Sequence, residues 1–192
     1  MENFFIFRSK LVLSTFRAPP QDIKTNTFLN LVRGEYSEIG FPVIFKQSGG
    51  KNFKDILDTE YTSLYLISTK MKEILEKNQL TGWITYPIKL YDKKGNEILD
   101  YHGFSITGRC TEVNYRESKI IEKRMVPTGP ICQFYKGALI KGWEGTDFFM
   151  PHLTAYTLIT EKVAKLLLKN KISNCDIENM AEYENSVRNV NF

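Results

Sequence analysis

Two histidines and three cysteines are the side chains of this sequence best suited to acid–base, nucleophilic or metal chemistry. His102 follows Asp100 by two residues, and His152 follows Asp147 by five. Either imidazole could serve as a general base with a carboxylate to orient it, provided the fold places a reacting group beside it. The patterns that normally accompany such a base are absent: the sequence contains no H-E-x-x-H, G-x-S-x-G, G-x-G-x-x-G or D-x-D-x-D-G. Cys110, Cys132 and Cys175 form no C-x-x-C pair, and an odd number cannot close a disulfide framework. They read as three reduced thiols of an intracellular protein. Gly49-Gly50-Lys51 invites a phosphate-loop reading. The P-loop pattern, however, requires Gly and Ser or Thr where Phe45 and Asn52 stand, so the stretch is a turn. The expectation is a protein that is not an enzyme and that has no cofactor and no metal.

Binding chemistry is better represented. Twenty-six Lys and Arg against 22 Asp and Glu leave a mild excess of +4. Lys162, Lys165 and Lys169 recur at i, i+3 and i+7, with Lys171 just beyond. Such a ridge can meet phosphates or an acidic protein, but opposite Val163 and Leu167 it reads first as the solvated face of a helix. In Gly142-Trp143-Glu144-Gly145-Thr146-Asp147-Phe148-Phe149, two glycines bracket a Trp and an acid ahead of paired Phe. Trp is strongly enriched at interface hot spots. The candidate contacts to a partner are therefore Trp143, Glu144, Asp147 and Phe149, with Lys162, Lys165 and Lys169 in reserve. The competing reading makes Trp143 and Phe149 one edge of the core.

These residues must be held by a core, and 13 Phe and 10 Tyr in 192 residues are ample to build one. Residues 67–80 echo residues 159–172 without gaps, at a constant offset of 92. In each copy a β-prone run meets a hydroxyl, Ser68 or Thr160, suited to cap a helix. The helix then shows one apolar face: Met71, Ile74 and Leu75, or Val163, Leu166 and Leu167. Asn78 and Asn170 suit the left-handed residue that ends it. After the first helix, residues 84–91 and 98–106 read as a hairpin around Asp92–Asn96, with Gly95 and Asn96 supplying positive φ. Residues 109–145 read mainly as loop, broken by Pro127, Gly129 and Pro130, with short strands at 120–126 and 134–140. The fold class expected is α+β, with a mixed, mostly antiparallel sheet, a few short helices and two related strand-helix-strand units. The organisation expected is a β-rich N-terminal subdomain at 1–50, an α+β core at 51–180 and a polar tail at 181–192. Phe4–Phe7 reads as a strand rather than a leader, and the uncharged stretch 148–160 is too short for a membrane span. The protein is expected in the cytoplasm, away from membranes.

Assembled in order, these pieces resemble a known family. Tyr65–Leu80, the hairpin to Ile106, the run Tyr101-His102-Gly103-Phe104-Ser105-Ile106, and then Val113-Asn114 and Ser118 carry the resemblance. Gly145–Phe149 and Ile159-Thr160 with its helix continue it. The chain is similar over about residues 60–180 to family eleven of the polymorphic-toxin immunity proteins. In that family a tyrosine-led strand precedes an Asp or Asn and a Ser at this spacing. Asn114 stands where Asp is usual, and the second helix is followed by Ser173-Asn174 where the first is followed by Thr81-Gly82. The resemblance implies a non-catalytic cytoplasmic protein whose partner is a cognate toxin domain. A charge of +4 does not suit mimicry of nucleic acid, which favours shape complementarity or an acidic patch on the toxin. The alternative is a nucleic-acid-binding α+β domain using the lysine ridge, although nucleic acid is the less expected partner.

Overall fold

The computed structural model describes residues 2–10, 12–21, 23, 27–152 and 156–187. Its first elements are β1 (Phe4–Ser9), α1 (Phe28–Arg33), β2 (Val43–Lys46), β3 (Ile56–Asp58), β4 (Tyr65–Ser68) and α2 (Thr69–Lys77). Then come β5 (Trp83–Tyr86), β6 (Ile88–Tyr91), β7 (Glu97–Ile98), β8 (Tyr101–Ile106), β9 (Gly108–Cys110) and β10 (Glu112–Asn114). The rest are β11 (Lys119–Arg124), β12 (Ile131–Lys136), β13 (Leu139–Lys141), β14 (Phe148–Pro151), β15 (Thr157–Thr160), α3 (Glu161–Lys169), β16 (Cys175–Asn179) and β17 (Glu184–Ser186). Strands dominate, their pairing is mostly antiparallel, and the class is α+β.

Two sheets hold the core. One runs β3-β4-β8-β5 and the other β16-β1-β15-β14-β9. In the first, Ile56 faces Ile67, Tyr65 faces Phe104, and Trp83 faces Ile106. In the second, Phe148 faces Ile159, Thr157 faces Phe7, and Cys175 faces Ser9. The strands that enter and leave each helix therefore lie parallel, split by a central antiparallel strand, β8 or β1. A helix cannot span adjacent parallel strands without a crossover, and here the crossover straddles a third strand.

The central strand β1 decides the chain's organisation. It lies between β15 and β16, so the sheet boundaries do not follow the division expected near residue 50. Residues 43–46 pair in parallel with β6, and Thr15, Arg17 and Pro20 bridge to Asn52, Asp58 and Phe45. Gly50 lies so close to Thr15 that a side chain there would collide with its backbone, which is why the turn read from Gly49-Gly50 needs glycine. The segment 181–187 is also engaged, since β17 pairs with β12; residues 188–192 of the expected tail lie outside the described residues. The 84–106 hairpin forms in two pieces, β6 on β7 and β5 on β8, with only Gly95 of its turn at positive φ.

Phe7 meets Tyr65 at 5.6 Å and Phe148 at 6.0 Å between ring centres, and Phe104 meets Phe148 at 5.6 Å, so both sheets share one core. Met71 and Leu75 of α2 and Val163, Ala164 and Leu167 of α3 are buried. Of these, Met71, Leu75, Val163 and Leu167 each contribute roughly 1.5–3 kcal/mol of burial free energy. Ser68 caps α2 by accepting from the Met71 N–H at 3.2 Å. The left-handed residues are Gln79 and Lys171, one position beyond the asparagines. Asn78 and Asn170 instead donate their side-chain amides to Ile74 O and Leu166 O, each at 2.8 Å, closing the last turn from outside.

Candidate functional site

The loop 142–149 turns inward. Trp143 packs edge-on against Phe4, with ring centres 5.1 Å apart, and its Nε1 donates to Thr146 O at 2.9 Å. Phe149 is fully buried in a cluster with Ile6, Cys110, Leu158 and Met180, so in this fold it presents no surface to a partner. The reason is its strand: all of β14 is buried, between β15 and β9. Asp147 is a fastener rather than a free contact. Its Oδ2 accepts from the Thr81 N–H at 2.9 Å and from Thr81 Oγ1 at 3.2 Å. Its Oδ1 accepts from Thr160 Oγ1 at 3.3 Å, and Lys162 Nζ lies 3.6 Å away. Of the four loop candidates, only Glu144 is exposed.

Asp55, 92 positions earlier, holds the same set of partners. It accepts from Ser68 Oγ at 3.0 Å, from the Ser173 N–H at 2.8 Å and Oγ at 2.7 Å, and from Lys70 Nζ at 3.2 Å. Burial alone would raise its carboxyl, but the hydrogen bonds from Ser173, Ser68 and Lys70 outweigh that and hold it below the usual carboxylate range. Thr81, just past α2, thus fastens to the aspartate before β14. Ser173, just past α3, fastens to the aspartate before β3. Asp55 escapes sequence reasoning because it lies outside residues 67–80, the stretch over which the echo is legible. Extending the same offset backward pairs Asp55 with Asp147, and forward it pairs Thr81 with Ser173.

The remaining candidates are dispersed. His102 Nε2 sits 3.1 Å from Thr69 Oγ1; burial, and then Lys72, lower its pKa. His152 is exposed, and its backbone joins Cys110 and Arg33. Burial raises the Cys110 thiol to about 11 and the Cys175 thiol to about 12, both well above thiolate-forming values. Among the described residues, no three His, Cys, Asp or Glu gather as metal ligands, and no helix is long and apolar enough to cross a membrane. The lysine ridge is partly neutralised: Lys162 faces Asp147, and Lys165 lies 2.9 Å from Glu161, leaving Lys169 exposed at the end of α3.

Exposed apolar side chains are most numerous in the segment read mainly as loop, although Leu13 and Leu99 are individually more exposed. β10 to β13 lie outside both core sheets, and β11 and β12 form a hairpin with six paired positions. Its root is fixed. Asn114 is buried and its Oδ1 accepts from the Arg116 N–H at 3.0 Å, while Ser118 Oγ donates to Gly137 O at 2.6 Å. Tyr115 packs on Tyr135, and Asn185 of β17 donates to the Tyr115 hydroxyl at 3.4 Å. Toward its tip, Met125, Val126 and Ile131 are 73%, 57% and 58% exposed, and Ile120, beside its root, is 53% exposed. A groove of about 590 Å³ runs beside it, lined by Glu122, Met125, Ile131, Cys132, Gln133 and Ser186. Four large apolar groups on one projecting element mark a contact surface more strongly than the scattered exposed apolar residues normal elsewhere. In the sequence, the signal is Ile120-Ile121 and Met125-Val126 leading into the turn Pro127-Thr128-Gly129-Pro130, with Ile131 after it.

No protein-family model matches this chain, and no curated protein matches its sequence.

Proposed function

We propose that the chain is a non-catalytic binding protein, an immunity protein that neutralises the cognate toxin domain of a polymorphic toxin in the cytoplasm, and that it does so through the β11–β12 hairpin. The single observation that carries this reading is the bare apolar end of a hairpin whose root is locked by buried tyrosines and hydrogen bonds. A rigid element that presents unburied Ile, Met and Val is costly to keep in water and is suited to entering a partner's cleft. Asn114 and Ser118, two residues on which the family resemblance rests, support the root of that hairpin. We further infer that the scaffold is one strand-helix-strand unit used twice, fastened at Asp55 and Asp147. Function would then sit in the segment that stands outside both copies.

The test is co-expression with the toxin domain encoded beside this chain's gene. Growth should be restored, and the purified proteins should bind. The double substitution Met125→Asp with Ile131→Asp should weaken binding by about 2 kcal/mol or more, roughly 30-fold. Stability should change by no more than about 1 kcal/mol, since both side chains are mostly exposed. Binding that survives the double substitution, or toxicity that persists with every neighbouring toxin, refutes the proposal.

A further inference from the structure

We infer that the outer edge of β11 is a docking strand for an extended, acid-bearing segment of the partner. The inference deepens the reading above for the partner's identity, while the edge itself stands on separate observations. Among the described residues, β11 pairs on one side only, with β12. Its outer edge therefore presents a row of backbone N–H and C=O groups that another strand can satisfy. Five of its six residues are exposed.

Charge selects the occupant. Alternation puts Lys119, Ile121 and Lys123 on one face and Ile120, Glu122 and Arg124 on the other. Lys123 is committed to Glu184 and lies 4.7 Å above the Phe134 ring, while Glu122 accepts from Gln133 Nε2 at 3.0 Å. Lys119 and Arg124, at the two ends, meet no carboxylate among the described residues; Arg124 donates only to the Gly129 carbonyl. A second copy of this chain fits poorly, because antiparallel pairing of β11 with itself in full register sets Lys119 opposite Arg124 twice. Like charges directly opposite are destabilising. A strand with carboxylates near both ends and apolar residues beside Ile120 and Ile121 meets both the unpaired cations and the bare apolar groups. Pro127 and Pro130 lack N–H donors and end the docking edge at the tip.

The experiment is hydrogen–deuterium exchange on the full chain with two blocked eight-residue peptides, Ser-Glu-Thr-Thr-Val-Val-Glu-Ser and the same sequence with Lys for Glu, whose charged residues, five apart, can oppose Lys119 and Arg124 on their opposite faces. The acidic peptide should slow exchange across 119–124 by about tenfold or more, and the basic one should leave it unchanged. The pair Lys119→Glu and Arg124→Glu should reverse the preference. Equal protection by both peptides, protection elsewhere, or none at 119–124 overturns the inference. The two proposals fail separately. If the toxin is bound through Met125 and Ile131 while β11 stays unprotected, only the edge is lost. If β11 takes the acidic peptide but no neighbouring toxin is neutralised, only the immunity reading is lost.

Discussion

Replacing Asp55 with Ala should unfasten one of the two aspartate contacts that tie the regions after the helices to the strands before them. The carboxylate accepts from the Ser173 N–H, Ser173 Oγ and Ser68 Oγ, and its side chain is 12% exposed. The two hydroxyls can turn toward other acceptors, but the Ser173 amide is fixed by the chain. Leaving buried donors unsatisfied costs about 1–3 kcal/mol each, so we expect a total loss of about 2–4 kcal/mol after that partial recovery. In a domain of this size the melting temperature should fall by roughly 5–15 °C. Asp55→Asn keeps one acceptor oxygen and should lose about half as much. The folded carboxyl lies below its unfolded value, so its contribution is fully present above the unfolded pKa of about 4 and disappears as pH falls through the folded value. Urea titrations of the wild type and Asp55→Ala at neutral pH and at decreasing pH should therefore converge in acid. A loss under about 0.5 kcal/mol, or a gap that is the same at pH 3 and pH 7, would refute the fastener.

Two further outcomes follow from the core. Trp143→Ala should destabilise by about 3 kcal/mol in thermal melts while leaving partner affinity per folded molecule unchanged, because its indole packs on Phe4 and Phe149. A loss of affinity with no loss of stability would return Trp143 to the interface. With a thiol reagent at neutral pH, buried Cys110 should react only as fast as the protein opens and half-buried Cys175 only slowly, their thiols being raised by burial to about 11 and about 12. Rapid modification of either in the native protein would contradict that burial.

What the sequence discloses here is local. The helices α2 and α3 were legible because an apolar face repeats within a few residues, and the Ser68 cap because its acceptor and donor are neighbours in the chain. Pairing is a long-range property. Nothing in Phe4–Phe7 specifies that its partners are residues 157–160 and 175–179, so the N-terminal segment read as a unit of its own. The asparagines do sit at the helix ends, but their side-chain amides reach back four residues and leave the left-handed backbone to the next residue. Trp143 and Phe149 show the ambiguity of an aromatic cluster in a glycine-bounded stretch. Both interface and core favour it, and only neighbours such as Phe4, far away in sequence, distinguish them.

The position of β1 has a consequence for how the molecule is made. During vectorial synthesis the apolar run Phe4-Phe5-Ile6-Phe7 leaves the ribosome about 150 residues ahead of both of its neighbours, residues 157–160 and 175–179. The β3-β4-β8-β5 sheet can close as soon as residue 106 emerges, while β1 waits for β15 and β16, on the order of 10 s at ordinary elongation rates. For that interval the nascent chain carries an unpaired apolar strand, and the first sheet still lacks the Phe148 ring that packs on Phe104 and Phe7, so apolar surface stays open to association until the second sheet forms.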